Sequence, residues 1–174
     1  MALWVLAAAS TIYYLTWRHP EFPVPGLNYH KVLGFSLLVP LALRIGWRLL
    51  NMGPKPPDTM PRWQKHISQA SHFSLYALML AMPVTGYLGN GAGVDYGIFR
   101  IPAFRSTAMS DWALENLGIT YAQWDKFFDT VHYGVVGPYV LSAVVLLHAG
   151  AALVHHFVQR DDVLVRMLPG RKLK

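Results

Sequence analysis

The sequence predicts an all-α integral membrane protein, a bundle of four helices that forms one domain over residues 1–174. Of the 174 residues, 53% are hydrophobic and only 14% are charged, and the mean hydropathy is +0.28. Soluble chains carry about 25% charged residues, so the surplus apolar surface is expected to face lipid. The apolar residues also concentrate in four stretches, which segments rich in proline, glycine and charge separate.

The four apolar stretches are the predicted membrane spans. They cover residues 2–17, 30–50, 66–88 and 131–158. The first makes only about 24 Å of helix against a hydrocarbon core of about 30 Å, so we expect it to tilt or to thin the bilayer. A signal peptide is not expected here, because no basic segment precedes the stretch and no small-residue cleavage site follows it.

The connection over residues 90–130 is predicted to form a small cap on the outer side of the bundle. Turn signals occur at Gly89-Asn90-Gly91 and at Ile101-Pro102. Amphipathic stretches follow at Met109–Leu117 and near Tyr121–Phe128. The chain shows no internal repeat or long linker, which favours a single domain.

Charge distribution predicts that both termini are cytoplasmic. Short cytoplasmic connections are enriched in lysine and arginine. Basic residues cluster near the ends of span two, before span three and after span four: Arg44, Arg48, Lys55, Arg62, Lys65, Arg160, Arg166, Arg171, Lys172 and Lys174. The outer segment 90–130 instead has five acidic and three basic residues. The net charge of +6 therefore indicates topology and contact with lipid headgroups, and no nucleic-acid partner is expected.

Histidine is the residue type that can supply metal ligands here. The chain has no cysteine, which excludes thiolate zinc sites, iron–sulfur clusters and covalently attached haem. It has eight histidines, and an ionisable side chain inside a membrane span marks function by default.

Three histidines lie at depths that suit redox centres. His30 begins span two and His132 begins span four, so both are expected about one turn inside the outer face. Two imidazoles at one depth on different helices can bind one iron from opposite sides. His148 follows His132 by 148 − 132 = 16 residues, roughly 24 Å deeper by helix rise. That separation suits a second centre stacked across the membrane.

The other histidines belong to the boundaries. His66 and His156 are interpreted as solvated side chains at the cytoplasmic face, and His19 as a surface residue of a loop. His72 and His155 remain candidates for chemistry, since His155 follows His148 by seven residues and shares its helix face.

The end of span four carries a specific motif. It reads His148-Ala-Gly-Ala-Ala-Leu-Val-His155-His156-Phe157, and Arg160-Asp-Asp-Val-Leu-Val-Arg-Met-Leu-Pro169 follows. Weaker signals are Tyr29-His30 at the start of span two, Arg44 and Arg48 at its end, and the run from His72 through Tyr76 to Pro83-Val84-Thr85-Gly86. Over nearly its whole length the chain resembles the bacterial four-helix cytochrome b561 family, membrane proteins of the inner membrane that bind two haems b and exchange electrons with quinone.

The resemblance implies specific ligands and partners. His30 and His132 would be the axial ligands of an outer haem, and His148 would be one ligand of an inner haem. Lys31 and Arg44 are candidates for contacts to haem propionates or other anions, and Arg48 is a further candidate with a snorkelling alternative. His72 and His155 are candidates for a quinone contact or for a substitute ligand. The implied partners are ubiquinone or menaquinone, membrane lipid and a periplasmic redox protein.

The sequence departs from the family pattern at two places. The family's fourth ligand precedes a tryptophan at the start of span one, and here Leu3 precedes Trp4. Additional N-terminal sequence, loss of the inner haem and substitution by a residue such as His72 are all open explanations. Family members also separate the two span-four histidines by fourteen residues. The present sixteen would turn the rings about 160° apart on an α-helix, unless a kink or π-bulge near Gly134, Gly137 and Pro138 absorbs the difference.

Several functions remain open within this interpretation. Some relatives oxidise superoxide with quinone as acceptor, although the acidic outer segment would repel an anion unless Arg100 and Arg105 attract it locally. Relay to a periplasmic partner uses the same haems, and a haem-poor scaffold or assembly subunit is the alternative outside redox chemistry. A non-haem iron hydroxylase is disfavoured, because neither H-x-x-x-H nor H-x-x-H-H occurs.

Overall fold

The computed structural model describes residues 2–17, 25–51, 60–89, 91–161 and 164. Its helices are α1 (Ala2–Trp17), α2 (Pro25–Ser36), α3 (Leu38–Leu50), α4 (Arg62–Leu88), α5 (Ala108–Leu117), α6 (Tyr121–Asp129) and α7 (Ser142–Val154). Two π-helical segments cover Thr130–Leu141 and His155–Gln159, and a 3₁₀ turn covers Phe104–Ser106. Strands β1 (Val94–Asp95) and β2 (Arg100–Ile101) form an antiparallel ribbon, with Val94 paired to Ile101.

The second predicted span is two helices rather than one. It begins at Pro25, and α2 and α3 meet at a turn at Leu37. Pro40 explains the break, since proline has no N–H to bond the carbonyl four residues earlier. The amide of Leu37 bonds the carbonyls of both Leu33 and Gly34 at 3.2 Å, which tightens the chain at this point.

The last span is part of a longer continuous helix. The segments α6, Thr130–Leu141, α7 and His155–Gln159 follow one another without interruption, so that the helix runs 39 residues from Tyr121 to Gln159. At 1.5 Å per residue such a helix is about 58 Å long, roughly twice the hydrocarbon thickness. Its first turns, which are amphipathic, therefore extend beyond a bilayer that holds the apolar part.

Two helical stretches of the described residues are long and apolar enough to cross a membrane, namely Leu27–Leu50, which includes the turn at Leu37 between α2 and α3, and Tyr121–Gln159. Leu3–Tyr13 is apolar but shorter. The helix α4 has 27 residues, and Ser71, His72 and Ser74, which lie just before its midpoint, lower its hydropathy. Length and composition thus mark two spans directly, and assignment of the other two depends on the family.

Apolar side chains cover the outside of the protein rather than a central core. In the described part of the chain, the buried hydrophobic residues are Leu37, Leu41, Val94, Phe104 and Ala152. Large apolar side chains are exposed on the long helices, among them Leu43, Trp47, Phe73, Leu146, Leu147 and Phe157. Exposed apolar surface of this extent is typical of a protein that faces lipid.

The cap over residues 91–129 joins the ribbon to α5 and α6 and docks on the helices below it. Phe104 stacks on Trp124 with ring centroids 5.3 Å apart, and the Trp124 indole donates to the carbonyl of Leu88 at the end of α4. On the other side, the Asn28 side chain bonds both the carbonyl and the amide of Asp95. The two cap helices coincide with the two predicted amphipathic stretches, whereas the ribbon was not predicted.

Some predicted features lie outside the described residues. They are His19, Lys55, Asn90 and the basic residues Arg166, Arg171, Lys172 and Lys174.

Candidate functional site

The structure brings His30 and His132 together. His30 lies on α2 and His132 on the π-helical segment, and their ring centroids are 6.1 Å apart with an angle of 75° between the ring planes. Nδ1 of His30 lies 2.8 Å from the carbonyl oxygen of Ala8 on α1. A carbonyl oxygen only accepts, so Nδ1 of His30 carries the proton and Nε2 keeps a free lone pair.

The same argument applies to His132. Its Nδ1 lies 3.2 Å from Oγ1 of Thr85 on α4. The Thr85 hydroxyl donates its hydrogen to the carbonyl of Ala81 at 2.7 Å, which leaves Oγ1 to accept from Nδ1–H of His132. Both rings of this outer pair therefore present an unprotonated Nε2, the form in which imidazole binds a metal.

Close packing against α4 fixes the ring of His132. A Cβ atom added at Gly86 would lie 2.8 Å from Cε1 of His132, and within 3.3 Å of Nδ1 and Nε2 of the same ring. Real Cβ atoms essentially never come this close to a neighbour. Only glycine therefore fits at position 86 with His132 in its present orientation.

A second pair, His72 and His148, lies further along the same helices. The ring centroids are 5.3 Å apart with an angle of 62° between the ring planes. Nδ1 of His148 is 3.2 Å from Oγ of Ser71. His148 is partly buried and His72 is exposed, so this inner pair is accessible from outside the protein.

The spacing along α4 explains how both pairs form. Thr85 follows Ser71 by 85 − 71 = 14 residues, and Gly86 follows His72 by 86 − 72 = 14 residues. Fourteen residues complete nearly four α-helical turns. Ser71 and Thr85 therefore lie close to one face of α4, and the same holds for His72 and Gly86. The partners on the last helix, His132 and His148, are 16 residues apart.

The π-helix explains how a spacing of sixteen residues on the last helix can match a spacing of fourteen residues on α4. Bonding from residue i to i+5 gives a π-helix roughly 0.8 residue more per turn than an α-helix. The 12 residues Thr130–Leu141 make between two and three such turns and so absorb about two residues. Gly137 permits this geometry, since a Cβ there would lie 2.5 Å from the carbonyl oxygen of His132. The structure thus contains a π-helix at the place where the spacing left a kink or a π-bulge open.

The outer pair has the spacing that one iron atom needs. With Fe–N bonds of about 2 Å, two imidazoles on opposite sides of an iron have ring centroids roughly 6 Å apart. The outer pair fits at 6.1 Å, and the inner pair at 5.3 Å would open by about 1 Å. Among the described residues, no group of three or more His, Cys, Asp or Glu side chains could hold a metal ion.

The candidate cationic residues divide between the two pairs. Lys31 follows His30 directly, and its charge interacts with that of Arg100 on β2. The guanidinium Nε of Arg44 donates to the hydroxyl of Tyr76 at 3.0 Å, one turn beyond His72 on α4. Each pair thus has basic side chains nearby.

The ring of His155 contacts the carboxylate of Asp161 rather than the inner pair. Its Nδ1 is 2.5 Å from Oδ2 of Asp161, and the amide of Asp161 bonds the carbonyl of His155 at 3.1 Å. Arg160 turns the chain between them with a positive φ of 54°. His66 is exposed, and His156 packs on Phe157 with ring centroids 4.8 Å apart.

Leu3 does not lie at the level of the inner pair. The indole of the adjacent Trp4 donates to the carbonyl of Leu33 at 2.7 Å, and Leu33 is less than one helical turn from His30. Leu3 itself is 82% exposed. The residue whose ring contacts His148 is His72.

Sequence reasoning missed Ser71, Thr85 and Asp161, which hold the rings of three histidines. A usable signal was present for two of them. Ser71 and Thr85 have the fourteen-residue spacing that the resemblance implies for stacked histidines.

Comparison with known proteins identifies the family. The chain matches the prokaryotic cytochrome b561 family over residues 1–170. The chain belongs to this family. Family membership makes it a helical membrane protein that binds haem b and transfers electrons, and it confirms the resemblance drawn from the span-four motif.

Relatives within the cytochrome b561 family are similar over most of the chain. Cytochrome b561 homolog 2 of Escherichia coli is 31% identical over 174 residues, which covers 97% of this chain and 79% of the relative. Cytochrome b561 homolog 1 of the same organism is 31% identical over 149 residues, or 81% of this chain and 69% of the relative. A probable superoxide oxidase of Yersinia pestis is 26% identical over 150 residues, or 82% of this chain and 74% of the relative.

Proposed function

We propose that the protein is a multi-pass cytochrome of the bacterial inner membrane that exchanges electrons with the quinone pool. The observation that carries the proposal is the outer pair, because His30 and His132 are 6.1 Å apart and each holds its Nδ1 in a hydrogen bond. They are the proposed axial ligands of one haem b. A haem iron bound by two imidazoles changes oxidation state one electron at a time and has no open position for a substrate.

The proposed topology has four spans with both termini in the cytoplasm. Arg62 and Lys65 at the start of α4 and Arg44 and Arg48 near the end of α3 place the connection between them inside by the positive-inside rule. The cap and the outer histidine pair then face the periplasm, where a soluble redox partner could reach them.

His148 is the proposed ligand of an inner haem, and His72 has two candidate roles there. As a second ligand, His72 would complete a bis-histidine site with His148. As a donor beside the site, it would hydrogen-bond a quinone headgroup. Replacing His72 with glutamine distinguishes the roles, because a ligand variant loses one haem whereas a quinone-contact variant keeps both and loses quinone reduction.

Proton exchange with quinone needs a titratable group near the cytoplasmic face. We place His155 in this role, with Asp161 bonded to its Nδ1. Lys31 and Arg44 are proposed to pair with haem propionates, because both lie beside the histidine pairs and arginine binds carboxylates well.

Oxidation of superoxide is a second candidate function. The Yersinia pestis relative is named a probable superoxide oxidase. Lys31 follows His30 in the chain, and its positive charge is close enough to that of Arg100 for the two to repel each other. Two neighbouring cations would attract an anion to this end of the bundle despite the acidic cap. Superoxide generated enzymatically should then reduce the bound haem, and Arg100→Glu should slow that reduction.

The deciding experiment measures haem in protein purified in detergent. Pyridine haemochrome analysis gives haem per polypeptide, and the reduced-minus-oxidised spectrum identifies haem b. We expect haem b in the wild type and loss of the outer haem in His132→Gln, with exposed His66→Gln as the matched control. A well-folded wild type without haem would contradict the proposal and leave a scaffold role.

Reduction of the purified protein by a soluble quinol tests quinone exchange. We expect quinol to reduce the haem with a pH dependence that changes in His155→Gln. An unchanged pH dependence in a variant that lacks both His72 and His155 would contradict their role in proton transfer.

A further inference from the structure

The helix α4 presents one hydroxyl to each histidine of the last helix. Oγ1 of Thr85 is 3.2 Å from Nδ1 of His132, and Oγ of Ser71 is 3.2 Å from Nδ1 of His148. All four side chains are partly buried. Two equal contacts on one helix, fourteen residues apart, indicate a common arrangement at both levels.

The direction of the hydrogen bond is determined at Thr85. Its hydroxyl hydrogen is engaged by the carbonyls of Ala81 at 2.7 Å and Met82 at 3.2 Å. Oγ1 can therefore only accept from the ring, and His132 is held as the tautomer with Nε2 unprotonated. Oγ of Ser71 lies at the same 3.2 Å from Nδ1 of His148, and on this likeness we assign it the same acceptor role.

An acceptor at Nδ1 affects the chemistry of a ligating imidazole. A hydrogen bond at the distal nitrogen fixes the tautomer and ring orientation and makes the ligand more basic. A more basic ligand favours ferric over ferrous iron and lowers the reduction potential. Thr85 and Ser71 are therefore placed where a side chain can adjust each haem separately.

We propose that Thr85 and Ser71 are positioning residues that set ring orientation and reduction potential at the outer and inner haem, respectively. The proposal rests on the proposed function, since it assumes haem at His132 and at His148. It assigns α4 a role at both centres, although α4 supplies no ligand to the outer one.

Redox titration of the purified protein, followed at the haem absorbance, tests the proposal. In Thr85→Val we expect the outer haem potential to rise by the equivalent of a three- to tenfold change in the ferrous-to-ferric ratio, about 30–60 mV at 59 mV per tenfold. Ser71→Ala should raise the inner potential alone. The conservative variants Thr85→Ser and Ser71→Thr should restore the wild-type values.

Matched controls separate positioning from general effects of substitution. Thr130→Val removes an exposed hydroxyl two residues before His132, whose bond among the described contacts is to the carbonyl of Lys126 at 2.7 Å. Ser68→Ala removes an exposed hydroxyl one turn before Ser71. Neither control should shift a potential. Haem loss in Thr85→Val with retention in Thr85→Ser, at equal helicity by circular dichroism, would also support the proposal.

The outcomes distinguish this inference from the proposed function. Wild type without haem contradicts both. Wild type with haem whose potentials do not respond to Thr85→Val or Ser71→Ala overturns the positioning role and leaves the electron carrier intact. Binding of a single haem overturns the part of the proposal that gives Ser71 a role at the inner haem.

Discussion

Gly86 sets the position of His132 by having no side chain. The ring atoms of His132 occupy the space where a Cβ would lie, at distances from 2.8 to 3.3 Å. Thr85, the preceding residue, holds the same ring through its hydroxyl. Two neighbouring residues of α4 thus fix one ligand, the first by a hydrogen bond and the second by close packing.

Gly86→Ala is expected to lose haem from the outer site. The added methyl group must displace the His132 ring, which breaks the bond to Thr85 and misaligns the ligand. By comparison with other changes that disturb ligand orientation, haem affinity should fall roughly 10–100-fold.

Titration of apoprotein with haemin measures this effect. Gly46→Ala is the control, because a Cβ at Gly46 meets no atom within 4 Å. Equal haem affinity in Gly86→Ala and Gly46→Ala would contradict the packing argument.

The π-helix Thr130–Leu141 brings His132 and His148 to one face of the last helix. Extended π-helices are rare, and shorter ones often occur at functional sites. Pro138 lies inside the segment and cannot donate a backbone hydrogen bond. Gly137 allows the carbonyl of His132 to approach closely. Local residues and the requirement for ligand alignment therefore favour the same geometry.

Deletions within the π-helix test its role. Removing both Val135 and Val136 leaves fourteen residues between the histidines, which an ordinary α-helix aligns. We expect this variant to keep its haem. Removing Val136 alone should rotate His132 by about 100° relative to His148 and abolish the outer site.

Haem per polypeptide, compared for both deletions, is the measurement. Circular dichroism in detergent shows whether each variant remains helical. Similar haem content in the two folded variants would show that ring alignment does not depend on the π-helix.

The exposed apolar surface and the clustered basic residues are features of the whole molecule that fit a membrane protein. Large apolar side chains are exposed on the long helices, while the ribbon and α5 lie at the end where the connection is acidic. Family membership supplies the membrane location. The number of spans and their direction stay predictions.

Cysteine labelling tests the topology directly. The chain has no cysteine of its own, so a single introduced thiol gives an unambiguous signal. Ile98 at the tip of the ribbon is 90% exposed, and Asn51 after α3 is also exposed.

We expect Ile98→Cys to react with a membrane-impermeant maleimide in intact spheroplasts. Asn51→Cys should react only after lysis, because its connection is predicted to be cytoplasmic. Labelling of both variants in intact spheroplasts would contradict the four-span arrangement.

The sequence by itself determined the class of protein and its family. Hydropathy, charge placement and the motif around His148 are properties of the chain read in order, and burial in lipid selects for them directly. The same depth argument placed His30 level with His132 before any contact was known.

Only the tertiary structure decided how the rings meet. Whether His132 faces His30 depends on how far the last helix turns between His132 and His148. Sixteen α-helical residues would leave these two side chains about 160° apart, and the hydrogen-bond pattern of the π-helix removes this difference. The acceptors Thr85 and Ser71 lie on a different helix, and the contact of His72 with His148 joins residues 76 positions apart (148 − 72 = 76). Such contacts depend on the packing of one helix against another, which the local pattern of either helix alone does not specify.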